Sequence, residues 1–216
     1  FRCSLETYLL AGGYPGAQRY FHDFPRWFSY VKSTIIDRVI DQDILRHRTV
    51  AKPALFRQAF DILSGYPAQE MSFTKLLGQL QDRGNTDLVK HYLDLYEGAF
   101  LFKTLQKFST RHLSVKSSSP KIIPLCPALV TLATGRETAS QPAIRGRIFE
   151  AVAGATLLQI PNGKVFYWRE GTDEIDFVLT VEKHVYGIEI KSVPTKMIRG
   201  RDAFLARFPQ ARMALI

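Results

Sequence analysis

Apolar residues recur at helical spacing through the first hundred residues of the chain. The predicted helical stretches are residues 5–9, 35–44, 55–63 and 72–81. The first of them stops at a compact turn over residues 12–15, which contains two glycines and a proline. Asn85 is a favourable N-cap, so a further helix should begin directly after it. The first part of the chain is therefore predicted to be helical.

A small hairpin is predicted after these helices. Residues 100–109 and 111–116 favour β-structure and are joined by a tight connection. Three helices followed by such a hairpin are typical of a winged helix. A serine-rich break at residues 117–120 then marks the best candidate for a domain boundary. We therefore predict a helical segment over residues 1–49 and a winged-helix domain over residues 50–117.

The pattern changes after this break. One helix is predicted over residues 144–158 and another over residues 202–208. The predicted strands are residues 165–169, 174–181, 185–192 and 213–216. Helices that flank such a mixed sheet indicate an α+β or α/β fold for residues 118–216. The last strand has no turn or cap after it, so we expect the chain to be a piece of a longer protein, truncated at its C-terminus.

The composition is typical of a globular chain with a hydrophobic core. Of the 216 residues, 46% are apolar and 23% are charged, which excludes intrinsic disorder. No apolar run is long enough to cross a membrane, so no membrane partner is expected. The two cysteines, Cys3 and Cys126, favour a reducing, cytoplasmic location. The sequence has no glycine-rich phosphate loop that ends in Gly-Lys-Ser/Thr, so no ATPase site is expected within it.

The net charge of +9 favours a polyanionic partner such as nucleic acid, though only weakly. The candidate nucleic-acid-binding residues are Lys196, Arg199 and Arg201, and an ordinary basic helix surface accounts for them equally well. The helix after Asn85 has a polar face on which acids outnumber bases, and phosphate binding requires the opposite. That face carries Asp87, Lys90, His91, Asp94 and Glu97. We therefore expect the winged helix to pack on a neighbouring domain rather than to read DNA.

Two neighbouring predicted strands bring acidic residues and a lysine together. Asp176 lies on the first strand, and Glu189 and Lys191 lie on the second. With a two-residue turn over residues 183–184, Asp176 is expected opposite Lys191, and all three side chains share one face of the sheet. Glu150, in the middle of the helix predicted before these strands, could bring a third carboxylate to the same face.

This arrangement suits a divalent cation. Neighbouring carboxylates repel each other, and a cation that prefers oxygen ligands, such as Mg²⁺, relieves the repulsion. The predicted metal ligands are Asp176, Glu189 and Glu150, and Lys191 would hold a water or a scissile phosphate beside them. The catalytic residues are therefore predicted to be these three carboxylates and Lys191. A solvated strand face with a cross-strand ion pair between Asp176 and Lys191 is the alternative.

Several short motifs, taken together and in order, resemble a known family. They are residues 8–15, 87–98, 119–121, 145–150, 167–169, 174–179 and 188–192. With these motifs the chain resembles the C-terminal region of a family of prokaryotic AAA+ ATPases, catalogued as domain of unknown function 4143. The order Glu150, Asp176, Glu189-Ile190-Lys191 also resembles the core of the PD-(D/E)XK nucleases.

The resemblance implies an N-terminal ATPase domain outside this sequence, which would bind ATP, then a winged helix and a PD-(D/E)XK nuclease-like domain. One departure is Cys126, which stands near a position where the family usually has an aspartate, and we assign it no chemistry. The predicted function is the C-terminal module of an AAA+ ATPase, nuclease-like and dependent on Mg²⁺ for its action on nucleic acid. The alternative is a non-catalytic docking or regulatory module that retains the nuclease fold. The expected partners are nucleic acid, the chain's own ATPase domain and, in a homo-oligomer, further copies of the chain.

Overall fold

The structure, a computed structural model, describes residues 3–81, 85–109, 118–191 and 200–216. Within these residues, helices and two small sheets build a protein of the α+β class, which confirms the fold class predicted from the sequence. None of the described helices has the length and apolar composition needed to cross a bilayer.

The N-terminal segment is helical, as predicted. Helix α1 (Leu5–Ala11) begins at Ser4, whose hydroxyl accepts a hydrogen bond from the backbone N–H of Thr7 at 3.1 Å. It ends at Gly12, where φ is 74°. A short 3₁₀ turn (Pro15–Tyr20) leads to α2 (Phe24–Ser29), which continues as two wider helical stretches, Tyr30–Ile36 and Val39–Leu45.

The next elements have the order and pairing of a winged helix. They are α3 (Pro53–Ser64), β1 (Gln69–Glu70), α4 (Phe73–Gln79), α5 (Thr86–Gly98), β2 (Phe102–Leu105) and β3 (Lys121–Pro124). The three strands form an antiparallel sheet in the order β1-β3-β2. Asn85 caps α5 as predicted, because its side chain accepts a hydrogen bond from the backbone N–H of Leu88 at 2.8 Å.

Among the described residues, β2 pairs with β3. The second strand of the predicted hairpin was expected over residues 111–116, which lie outside the described residues. The observed partner is β3, which pairs Phe102 with Pro124 and Leu105 with Lys121. Since β3 follows the predicted boundary at residue 117, the first sheet crosses it, and the division into three domains stays a prediction.

The remaining elements form a mixed sheet with helices on both faces. They are α6 (Ala128–Thr134), α7 (Arg136–Ser140), α8 (Pro142–Leu157), β4 (Gly163–Glu170), β5 (Asp173–Val181), β6 (His184–Glu189), α9 (Arg201–Arg207) and β7 (Arg212–Leu215). The strand order is β4-β5-β6-β7, with antiparallel pairs except for the parallel pair β6–β7. The helices predicted over residues 144–158 and 202–208 correspond to α8 and α9.

The second sheet has two differently covered faces, because side chains alternate along its strands. On one face, Phe177 and Ile188 share a core with Ala151 of α8 and with Ile123 of β3. On the other face, Trp168 and Val178 pack against Phe204 of α9. The first core therefore joins the two sheets directly and brings β3 close to the middle of β5.

Candidate functional site

The hairpin of β5 and β6 sets the relative position of the predicted site residues. Val181 pairs with His184, and Phe177 pairs with Ile188. Continuing this register places Asp176 opposite Glu189, so the predicted pairing of Asp176 with Lys191 is wrong by two residues. The cause is the turn, which is formed by Glu182 and Lys183, with Glu182 at a φ of 54°. A shift of two residues alone would leave the alternation of faces unchanged. The backbone irregularity next to Asp176 interrupts it, however, because Ile175 and Val178 lie in one core and Phe177 in the other. The common face of Asp176, Glu189 and Lys191 therefore stays a prediction.

Asp176 lies in a β-bulge. On β4 and β5, Phe166 pairs with Val178 but Trp168 pairs with Ile175, so Asp176 and Phe177 together stand opposite one residue of β4. The carboxylate oxygen Oδ2 of Asp176 accepts a hydrogen bond from the backbone N–H of Ile190 at 2.8 Å. This bond holds the Asp176 carboxylate beside the residue that follows Glu189.

Glu189 is the most deeply buried of the predicted site carboxylates, with 2% of its surface exposed. Its Oε1 accepts a hydrogen bond from the Lys191 ammonium at 2.5 Å. Its Oε2 is buried and has no hydrogen-bond partner among the described residues. Burial, with the charge of Asp176 next in importance, raises the pKa of the Glu189 carboxyl, although Lys191 and a hydrogen bond from the backbone of Asp176 act against this.

Lys191 is the cation of this group. Burial alone would lower the pKa of its ammonium, but the hydrogen bond and charge of Glu189, together with the charges of Asp176 and Glu150, outweigh it and raise the pKa. The ammonium is therefore charged at neutral pH. About a third of the side chain stays exposed, 37%, so it can reach a molecule at the surface.

Glu150 lies on α8 beside this group and is held by two cations. Its carboxylate pairs with Lys121 at 2.5 Å and with Arg147 at 3.3 Å. Burial raises the pKa of the Glu150 carboxyl, the charge of Lys121 lowers it, and the charge of Asp176 raises it again. Among the described residues, no three carboxylate, histidine or cysteine side chains lie close enough together to hold a metal ion. Glu150 therefore does not join Asp176 and Glu189 in a ready-made metal set.

Lys121 is a site residue that sequence reasoning missed. It begins β3, only 6% of its surface is exposed, and its ammonium donates a hydrogen bond to the backbone carbonyl of Asp176 at 2.9 Å. The ammonium also lies 4.7 Å from the centre of the Phe177 ring. The available signal was a lysine at the start of a short, otherwise apolar strand, because a buried lysine requires a partner.

A polar cleft of about 220 Å³ opens beside Asp176, between the first and the second sheet. Its charged and polar lining includes Glu70, Lys121, Arg147, Tyr167, Arg169 and Asp176. Arg169 is paired with Glu70 at 2.8 Å and also with Glu174. Asp176 is therefore in contact with this cleft, whereas Glu189 and Lys191 are not among its lining residues.

The candidate nucleic-acid-binding residues are only partly described. Lys196 and Arg199 lie outside the described residues, whereas Arg201 is exposed at the start of α9. On α5, Asp87 is exposed and pairs with Lys90 at 3.1 Å, and Asp94 is also exposed. The outer face of this helix therefore remains acidic, as its sequence indicated.

A divalent cation fits the described carboxylates best at Asp176 and Glu189. Both supply the hard oxygen donors that Mg²⁺ prefers, and the register places them opposite each other on neighbouring strands. The partnerless Oε2 of Glu189 is the observation that favours a ligand there, since a buried carboxylate oxygen is costly when nothing contacts it. Glu150 fits less well, because Lys121 and Arg147 already neutralise it.

The raised pKa of Glu189 has a consequence for stability. As pH rises above the ordinary glutamate value of 4.5, the folded protein keeps a proton that the unfolded chain has released. The free energy of unfolding should therefore fall as pH rises from the ordinary value towards the raised pKa of Glu189, and Glu189→Gln should remove that part of the decline. Melting curves of wild type and Glu189→Gln between pH 4 and pH 8 measure this pH dependence of stability. Glu182→Gln, in the exposed turn of the same hairpin, is the control, and an equal effect of both variants would contradict the prediction.

Two family models match the chain. A family described as Domain of unknown function (DUF8612) matches residues 2–140, and Domain of unknown function (DUF4143) matches residues 145–214. The second match confirms the resemblance to domain of unknown function 4143 for α8 and the second sheet, whereas the residues before it match a different model. No curated protein and no solved structure matches the chain. Because the first match covers more than half of the sequence, the chain belongs to the family described as Domain of unknown function (DUF8612).

Proposed function

We propose that Asp176, Glu189 and Lys191 form the catalytic site of a nuclease-like domain that cleaves phosphodiester bonds with the help of a divalent cation. The observation that carries the proposal is the buried, partnerless Oε2 of Glu189 next to the Asp176 carboxylate, with an ammonium on the other Glu189 oxygen. Carboxylates that share a cation and stand beside a lysine are suited to an anionic phosphate.

Each residue has a distinct part in this proposal. Asp176 and Glu189 would hold Mg²⁺, which when bound stabilises charge on a phosphate and lowers the pKa of a water. The bulge and the N–H of Ile190 keep the Asp176 carboxylate in place without a metal. Lys191 stabilises developing negative charge on a phosphate oxygen, because its ammonium is charged and partly exposed.

The wider role that we propose is that of the C-terminal module of an AAA+ ATPase. The match to DUF4143 and the motifs over residues 8–15 and 119–121 support this role. The chain would then work with its own ATPase domain, on nucleic acid delivered to the cleft beside Asp176. The net charge of +9 is compatible with such a polyanionic partner.

A second candidate function is a non-catalytic docking or regulatory module. The observation that favours it is that two of the three carboxylates already have internal cations: Lys121 and Arg147 for Glu150, and Lys191 for Glu189. Because these cations neutralise the carboxylates, the folded structure does not require a metal ion there. Binding of Mn²⁺ by the purified chain separates the two functions, because only the catalytic candidate requires it.

Cleavage of DNA and RNA by the purified chain tests the first candidate. We expect nicking with Mg²⁺ or Mn²⁺ and none with a chelator. Lys191→Ala should lower the cleavage rate by about 10²–10³-fold and retain the metal, whereas Asp176→Ala should lose both. Lys183→Ala, in the exposed turn of the same hairpin, is the matched control and should cleave normally. Absence of cleavage with either metal, even with the ATPase domain restored, would contradict the catalytic function, and wild-type cleavage by Asp176→Ala would reveal a contaminating enzyme.

A further inference from the structure

Lys121 reaches the proposed site from a different sheet. It belongs to β3 of the first sheet, whereas the proposed catalytic residues lie on neighbouring strands of the second sheet or directly after them. The core shared by Ile123 and Phe177 brings β3 against β5. Lys121, which does not belong to the motif formed by Asp176, Glu189 and Lys191, therefore lies next to the proposed site.

The ammonium of Lys121 has the surroundings of a bound cation. It lies 2.5 Å from Oε1 of Glu150 and 2.9 Å from the backbone carbonyl oxygen of Asp176. The third direction faces the Phe177 ring, whose centre is 4.7 Å away. The exposed fractions of the Lys121 and Glu150 side chains are only 8% and 9%. These contacts of the charge come from two oxygens and an aromatic ring, and the side chain is largely buried at the edge of the polar cleft.

This ammonium stands between the Glu150 carboxylate and the β5 bulge that carries Asp176. A divalent cation ligated by both Glu150 and Asp176 would meet the Lys121 charge directly, and like charges at such short range repel strongly. The buried oxygens Oε1 of Glu150 and Oε2 of Glu189 both lack a hydrogen-bond partner among the described residues. They differ in charge pairing, because Oε1 of Glu150 lies 2.5 Å from the Lys121 ammonium, whereas the ammonium of Lys191 pairs with the other oxygen of Glu189. Binding of a divalent cation is therefore favoured at Asp176 and Glu189 and disfavoured at Glu150.

We propose that Lys121 is a built-in cation that replaces a metal ion at Glu150, so that the site binds a single divalent cation through Asp176 and Glu189. The inference rests on the proposed function, since it presupposes that those two carboxylates hold a metal. Lys121 is then a positioning residue: it sets the number of metal ions and anchors the bulge, and it does not touch the substrate. Because Lys121 lies on β3, metal binding at the second sheet would also depend on the first sheet.

The test is a calorimetric titration of the full chain with Mn²⁺ alone. Wild type and Glu150→Gln should each bind one ion with dissociation constants within about threefold, whereas Asp176→Asn should bind none. Lys121→Met should bind a second ion or bind at least about tenfold tighter, because a neighbouring positive charge has been removed. Lys121→Met/Glu150→Gln should return to wild-type behaviour, and Lys121→Arg should keep it. Lys103→Met, which breaks the more exposed pair with Glu97 in the same sheet, is the matched control.

The outcomes separate this inference from the proposed function. Weakening of the first Mn²⁺ by more than tenfold in Glu150→Gln would overturn the inference, because Glu150 would then be a ligand. A Lys121→Met protein that binds Mn²⁺ like wild type would also overturn it. Binding by Lys121→Met but not by wild type would contradict the catalytic function yet support the built-in cation, and no binding by either would overturn both. If Lys121→Met does not fold, the Glu150→Gln result decides.

Discussion

Lys121→Met is expected to lower the free energy of unfolding by about 3–5 kcal/mol, because it removes one partner of a buried ion pair and leaves the other charged. Glu150 would keep only Arg147, at 3.3 Å, and its carboxylate is 9% exposed. For a chain of this size such a loss lowers the melting temperature by about 10 °C. Thermal and urea unfolding at neutral pH measure the effect.

Two controls identify the cause of this loss. Lys121→Met/Glu150→Met should recover most of it, since no unpaired charge remains buried. Lys103→Met breaks an ion pair whose side chains are 46% and 20% exposed, and it should cost about 1 kcal/mol or less. A double variant that is as unstable as Lys121→Met would show that packing of the lysine stem, rather than charge, dominates at this position.

Phe177→Ala is the second change with a large expected effect, about 3–5 kcal/mol of lost stability. The ring is fully buried and belongs to the core shared by α8, the second sheet and β3. It also packs so closely on α8 that a Cβ added to Gly154 would lie 2.7 Å from ring atoms. Loss of the ring would open a cavity at the point where these three elements meet, directly beneath the Lys121 ammonium.

Phe100→Ala is the matched control for this variant. It deletes the same ring from a residue that is 81% exposed, so the unfolding free energy should change by no more than about 0.5 kcal/mol. Urea denaturation of both variants gives the comparison. A loss of less than about 1 kcal/mol in Phe177→Ala would mean that the joint core of the two sheets is not a principal source of stability.

The sequence contained clear signals for the helices and for the long strands. Ser72 and Asn85 cap α4 and α5 through side-chain hydrogen bonds to backbone N–H groups, and both can be recognised from residue type and spacing. Along β5 the apolar residues alternate in sequence, so the existence of the strand followed from the period of two. Its faces followed only in part, because the bulge puts Ile175 and Phe177 into different cores. The α+β class followed from these elements.

The short strands of the first sheet gave weaker signals. Strand β1 has two residues, too few to show a period. Strand β3 is buried along its whole length, from Lys121 to Pro124, so its side chains show no alternation of apolar and polar types. Strand β3 pairs with β2 across fifteen intervening residues, and no local pattern in the sequence encodes such a pairing.

The details of the site depended on backbone features that residue types do not reveal. The turn of the β5–β6 hairpin contains Glu182 at a positive φ, where the usual signal would be glycine or asparagine. The bulge at Asp176 and Phe177 follows from the pairing with β4 and not from the sequence of β5. Lys121 reaches the site only because the two sheets pack together. Sequence reasoning therefore named Glu150, Asp176, Glu189 and Lys191 as candidates, but it placed the residues of the two strands two positions out of register, and it did not single out Lys121.

The anomalous scattering of Mn²⁺ in crystals of the chain tests the central claim most directly, since it locates the metal relative to each carboxylate. We expect one peak, within coordination distance of oxygens of Asp176 and Glu189, and with the Lys121 ammonium still on Glu150. Asp176→Asn crystals treated in the same way should lack the peak. A peak ligated by Glu150 with Lys121 displaced, or no peak at Asp176 and Glu189 under saturating Mn²⁺, would contradict it.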